Sequence, residues 1–419
     1  MQQPGIPQLL TLPDGMRCLV AESSAHTAYV GILVGVGTRH ETDAESGMAH
    51  LVEHMSFKGT ERRSAMQVIN RIETVGGELN AYTGKEETVY YAACLPEHVG
   101  RTVELLCDIV FHSTYPEAEL AREVEVVCDE IESYEDSPSE LIYDSFDAML
   151  FPGMPLGRNI LGHAERLRQF TSRDLHGFTQ RHYRPQNAIL YIHAPAAAIP
   201  KALLRNATPL SPETRDCKSP QQASCTPTLP TAATAPQLSP TVIHRSTHQA
   251  HVIIGAQAFP LSDPRHMAMT LLSNILGGPG MNSRLNLALR EKRGLVYTVE
   301  SSIAAYTDTG VWTTYFGCDA HDVRRCLRLV GSELRRLTDA PPTARQLAAA
   351  KRQLCGQLTI AYDNVENRAI SMAKRYYLTG QTLTLRQICD AIADVTPELM
   401  LQTARDVFAP EALRTLIFD

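Results

Sequence analysis

FTSRDLHGFTQRHYRPQNAILYI, residues 170–192, is matched without a gap by VTPELMLQTARDVFAPEALRTLI, residues 395–417, at a constant offset of 225. The alignment places Thr171 on Thr396, Tyr183 on Phe408 and Pro185 on Pro410. A second correspondence lies nearer the start of each half. The strand AHVIIGAQAF (250–259) with the helix pattern RHMAMTLLSNILGG after it mirrors AYVGILVGVG (28–37) with SGMAHLVEHM after it. Repeated order at this spacing is the mark of an internal duplication. The first half opens on TLPDGMRCLVAE, read as a strand, a Pro-Asp-Gly turn and a second strand, and helical patterns come later. Each half therefore predicts one α+β domain, an antiparallel sheet packed with helices.

Between the halves, residues 208–240 hold seven of the chain's 25 prolines among many Thr, Ser and Ala, with no hydrophobic period. This composition reads as an extended linker. The expected division is residues 1–207, the linker 208–240, and residues 241–419. At 419 residues the chain is long enough for two domains.

Apolar residues make up 44% and charged residues 20% of the chain, as in ordinary globular proteins. A formal net charge of -7 without a long basic cluster argues against nucleic acid or an anionic membrane as the main partner. No stretch approaches the roughly 18–20 apolar residues of a membrane span. The opening MQQPGIPQLLTLPDGMRCLV lacks the basic start and apolar core of a secretory signal. Ten cysteines show no Cys-x-x-Cys pair, and several sit in apolar runs such as ELLCDIV and VEVVCDEI. Reduced, packed thiols and a cytoplasmic location are expected, and a zinc site made of cysteines is not.

Chemistry concentrates in GMAHLVEHMSFKGT, residues 47–60. If this stretch is helical, His50 and His54 lie one turn apart on one face with Glu53 beside them, which is metal-ligand geometry. The second half has only NILGGPG opposite this motif, so the two copies differ in chemistry. Two histidines need at least one further protein ligand for zinc, with a position left for water in a catalytic site. The segment YPEAELAREVEVVCDEIESYED (115–136) predicts a helix, with Leu120, Val124, Val127 and Ile131 at helical spacing. Glu123 and Glu130 are two turns apart on that helix and share a face, and spacing alone leaves both open as the third ligand.

The arrangement His50-x-x-Glu53-His54, with Glu130 76 positions after His54 and Glu123 seven before Glu130, resembles the inverzincin metallopeptidases. These are the pitrilysin, insulin-degrading enzyme and mitochondrial processing peptidase group. MAHLVEHMSFKGTERRS and GGELNAYTGKEETVYYAACL are similar to the processing-peptidase branch and its bacterial relatives, and the resemblance extends over nearly the whole chain. It implies zinc held by His50, His54 and Glu130, Glu53 as general base, and Glu123 as a carboxylate supporting the ligands. Such a donor set gives a water with a pKa near 7, which Glu53 would deprotonate before passing the proton to the leaving amine.

The resemblance also implies roles elsewhere. Arg290 and Tyr297, in LREKRGLVY, would polarise the scissile carbonyl or stabilise its oxyanion. Asn80 and Ala81, in ELNAYTG, would bind substrate backbone along an edge strand. A chain of this length resembles half of a clamshell, so two chains would close one chamber around extended peptides or unfolded segments. Both motifs occur on this one chain, which points to a homodimer, with a heteromer as the alternative. Two competing expectations are a non-catalytic structural or partner subunit of the same fold and a specific presequence-processing peptidase.

Overall fold

The computed structural model describes residues 7–210, 239–245 and 247–419. Most of the expected linker, with Cys217 and Cys225, lies outside the described residues, as do residues 1–6 of the opening stretch. Two compact units are present. Of the described residues, those up to 133, 153–210 and 362–384 form the first, and 134–152, 239–361 and 385–419 form the second.

The first sheet comprises β1 (Gln8–Thr11), β2 (Arg17–Glu22), β3 (Ala28–Val34), β4 (Glu78–Thr83), β5 (Thr88–Cys94), β6 (Ala188–Ala194) and β7 (Thr208–Pro209). Its order is β4-β5-β3-β6-β2-β1-β7. The helices of this part of the chain are α1 (Met48–Met55), α2 (Ala65–Glu73), α3 (Val99–Phe111), α4 (Glu117–Glu135), α5 (Pro138–Leu150), α6 (Ala164–Leu167), α7 (Ser172–His182) and α8 (Lys201–Asn206). The second sheet comprises β8 (Thr241–Ile243), β9 (Ala250–Ala258), β10 (Val296–Ala305), β11 (Gly310–Cys318) and β12 (Arg414–Phe418), in the order β10-β11-β9-β12-β8. With it come α9 (His266–Gly277), a π-helix (Asn286–Glu291), α10 (Val323–Asp339), α11 (Ala344–Tyr362), α12 (Val365–Thr379), α13 (Leu385–Ala393) and α14 (Pro397–Val407).

The duplication expected from the sequence is visible strand for strand. Shifting α7 by the 225-residue offset lands on α14, and β6 shifts onto β12. The five-strand order of the second sheet repeats β4-β5-β3-β6-β2 of the first. One detail differs from the expectation of antiparallel sheets, because β2–β6 and β12–β8 are parallel. In both cases the partners are far apart in sequence, and long connections free a strand to run either way.

Both faces of the first sheet are covered, which is why β3 and β6 read as nearly continuous apolar runs. Val30, Ile32, Leu190 and Ile192 join one core with residues of α1, α3 and α4. Leu33, Val89, Ile189 and Tyr191 join another with Ala369, Ala373, Tyr376 and Tyr377 of α12. That helix comes from late in the chain. The second sheet takes a helix from early in the chain in return, since α5 packs on β9 and β12. Gly255 in β9 allows this approach, because a Cβ there would stand 2.7 Å from the Phe146 ring and 2.5 Å from the Trp312 carbonyl oxygen.

Candidate metal centre

Helix α1 is buried nearly all round, with Met48, Ala49, Leu51, Val52 and Met55 in the core. It starts at Gly47, whose φ of 87° lies in the left-handed region that favours glycine. Its first amides would be orphaned inside the protein, and Glu41 accepts from two of them. Glu41 Oε2 takes the Gly47 N–H at 3.1 Å and Oε1 the Ala49 N–H at 2.8 Å. Burial pushes the Glu41 carboxyl up to about 8, and these two amide hydrogen bonds oppose the rise. The helix that carries both histidines is thus held at its N-terminus by a side chain six residues upstream.

On α1, His50 and His54 have ring centroids 4.5 Å apart. Helix α4 buries Leu120, Val124 and Val127 in the same core and turns Glu123 and Glu130 to the histidines. Glu130 Oε2 lies 3.8 Å from His50 Nε2 and 3.6 Å from His54 Nε2. All three donor atoms fall within 4.8 Å of one another. Tetrahedral zinc with ligands at 2.0–2.1 Å separates those ligands by about 3.3–3.4 Å, and both Glu130 distances come within about half an ångström of that spacing.

Glu123 occupies a different place from Glu130. Its Oε1 is 3.0 Å from His54 Nδ1, and its Oε2 is 2.6 Å from Lys58 Nζ. Glu123 is buried while the Glu130 side chain is 44% exposed. An Nδ1–H donated to Glu123 leaves the His54 Nε2 lone pair facing Glu130, the tautomer a metal ligand needs. Burial raises the Glu123 carboxyl, but hydrogen bonds from His54 and Lys58 outweigh it and hold the pKa below the usual range. Burial, and then His54 beside it, push His50 down to about 3, which keeps that imidazole neutral.

Glu53 sits on the same buried helix, and its Oε2 accepts from Thr83 Oγ1 at 2.9 Å. Burial lifts its carboxyl above the ordinary range; His54 and the Thr83 hydrogen bond lower it, and the Glu130 charge adds to the rise. A carboxylate with a raised pKa is a better proton acceptor near neutrality. Thr83 ends β4, which among the described residues pairs only with β5 and so stands at the edge of the first sheet. Asn80 and Ala81 lie on this edge strand, opposite Tyr91 and Tyr90 of β5.

Arg290 and Tyr297 belong to the second unit. Arg290 is on the π-helix and Tyr297 is the second residue of β10, 81% exposed. The Arg290 guanidinium carbon stands 5.8 Å from the Tyr297 ring centroid. Sequence reasoning missed Glu41, Lys58 and Thr83, three residues that hold functional groups in place. Lys58, one turn beyond His54, was the most accessible of them to periodicity. Nothing local marks Glu41 or Thr83.

The family model described as insulinase (peptidase family M16) matches residues 17–164, and the model described as the peptidase M16 inactive domain matches residues 169–354. A Streptomyces coelicolor protein described as an uncharacterized zinc protease is 32% identical over 405 residues, covering 96% of this chain and 87% of the relative. A Bacillus subtilis protein of the same description is 29% identical over 408 residues, 97% of each chain. Among solved structures, a protease from Helicobacter pylori superposes with a TM-score of 0.84 at 20% identity over 100% of both chains. A Pseudomonas fluorescens structure described as a peptidase M16 inactive domain gives 0.83 at 18% identity over 98% of both.

Proposed function

The chain belongs to the insulinase family of peptidases, family M16, and from that premise we propose that it is a zinc-dependent endopeptidase acting on extended peptides or unfolded segments. The observation that carries this reading is the convergence of His50 Nε2, His54 Nε2 and Glu130 Oε2 beside the buried Glu53 carboxylate. Zinc in such a donor set acts as a Lewis acid and lowers the pKa of water to about 7. Glu53 takes the proton from the attacking water at a carboxylate oxygen and delivers it to the leaving amine. Thr83 holds that carboxylate in one orientation, and Glu123 holds the His54 ring. Substrate backbone adds to the free edge of β4, with Asn80 and Ala81 as its partners. Arg290 and Tyr297 polarise the scissile carbonyl and stabilise its oxyanion.

Two chains close one chamber in this proposal, as a homodimer in which the second domain of each protomer completes its partner's site. The eight described cysteines are free thiols, in keeping with a cytoplasmic location. Among the described residues, no helix is long and apolar enough to cross a membrane. The complete set of His50, Glu53, His54 and Glu130 favours the peptidase over a non-catalytic subunit. Cut sites on several unrelated peptides distinguish a general oligopeptidase from a presequence-processing enzyme.

Metal removal tests the proposal. Dialysis against a chelator is expected to abolish cleavage of an unstructured peptide, and stoichiometric zinc to restore it. Cleavage that survives in the metal-free protein contradicts it.

A further inference from the structure

The second unit contains a cavity of about 540 Å³ between the π-helix, α10 and the turn into α11. This volume lies within the roughly 300–1,000 Å³ of small-molecule sites. Arg284, Lys292, Arg293 and Arg336 line it against one carboxylate, Glu333, so four cations face one anion for a net of +3. That concentration occurs in a chain whose overall charge is -7.

The single carboxylate pairs closely with only one of the four cations. Glu333 Oε1 is 2.6 Å from Arg336 Nη1, while its Oε2 stands 3.9 Å from Arg284 Nη1, beyond hydrogen-bond reach. Arg284 is partly buried, and burial followed by the like charge of Arg336 lowers its pKa despite Glu333. Arg293 donates one Nη1 hydrogen bond to the Ala288 carbonyl, and Lys292 has no ion pair among the described residues. Leu287, Leu329 and Leu337 supply an apolar wall.

Forked guanidinium groups with spare N–H donors match tetrahedral oxyanions, which they bind with two parallel hydrogen bonds. A bare phosphate occupies only a small part of this space, and the leucine wall offers nothing to a second charge. We propose that the cavity is a binding site for a phosphate monoester, its phosphate held by Arg284 and Arg336 with Lys292 and Arg293, its uncharged body on Leu329 and Leu337. Arg290 and Tyr297 are not among its lining residues, although the π-helix that carries Arg290 forms one wall.

Isothermal titration calorimetry of the full chain with phenyl phosphate at low ionic strength tests this. Saturable one-to-one binding is expected, weaker for inorganic phosphate and absent for phenol. Arg336 carries a 65% exposed side chain, so Arg336→Gln is compatible with folding; it should weaken binding about tenfold or more, as loss of a charge-assisted pair does. Lys292→Ala should weaken it less, and added salt should weaken it throughout. No binding of phenyl phosphate at millimolar concentration overturns the proposal. So does an affinity unchanged in Arg336→Gln, or equal binding of phenyl phosphate and inorganic phosphate.

Discussion

Glu123 and Glu130 share a helix face two turns apart, yet they meet different nitrogens of the histidine pair. Glu130 faces both Nε2 atoms, and Glu123 takes the Nδ1 of His54. The two positions therefore respond differently to the same substitution. Glu130→Gln removes a charged donor and should leave the protein largely without zinc. Glu123→Gln keeps an acceptor for the His54 N–H and should lower zinc affinity within the roughly 10–100-fold range of residues behind metal ligands. Zinc content of the two purified variants checks the assignment, and a metal-replete Glu130→Gln beside a metal-free Glu123→Gln reverses it. The histidine pair and both glutamates were legible in the sequence as a spacing, but spacing left the choice between the glutamates open, and only the family resemblance pointed to Glu130. It depends on where α4 crosses α1, which no periodicity encodes. Thr83 and Lys58 were illegible for the same reason, since each acquires its role from a side chain 30 or 65 positions away.

At the scale of elements, α12 packs on the first sheet through a polar contact as well as apolar ones. Arg368 Nη2 donates to His193 Nε2 at 2.8 Å, where His193 is buried in β6. Burial, and then the Arg368 charge, push His193 down to about 4 from an ordinary 6.5. The folded chain thus binds fewer protons than the unfolded one between these values, so stability rises with pH across that window. The contribution is fully present above pH 6.5 and is lost as pH falls towards 4, about 3 kcal/mol in all. His40, also pushed down to about 4 by burial and then by His182, adds to the same slope. Urea denaturation between pH 4 and 7 should show this loss, and His193→Gln, which keeps an acceptor for Arg368, should make the dependence shallower. An unchanged slope would show that His193 does not set this pH dependence. The equivalence of α7 and α14 was legible, because both fall within the gapless alignment of residues 170–192 with 395–417. The docking of α12 was not, because its apolar positions do not name the sheet they cover.

For the whole molecule, the repeated strand order shows one sheet plan used twice, with the His-x-x-Glu-His motif in the first copy. The gapless match of residues 170–192 with 395–417 made this duplication readable from the sequence. The reciprocal lending of α5 and α12 was not readable, since a strand-order comparison carries no information about what covers the outer face. The proposed homodimer makes a quantitative prediction. Glu53→Gln and Arg290→Ala should each be inactive alone, while a re-equilibrated equal mixture should regain about a quarter of wild-type activity if each site draws Glu53 and Arg290 from different protomers. No recovery means that both residues act from one chain or that the partner is a different protein.

In the proposed zinc-dependent peptide hydrolysis, Glu53 moves the proton. The most direct test is the cleavage rate of an internally quenched fluorescent peptide of about ten to twenty residues, measured for wild type and Glu53→Gln with zinc content matched. Cleavage by wild type is expected, with a loss of about a thousandfold or more in the variant and zinc retained. Equal rates in the two proteins, or no cleavage by zinc-loaded wild type, would contradict it.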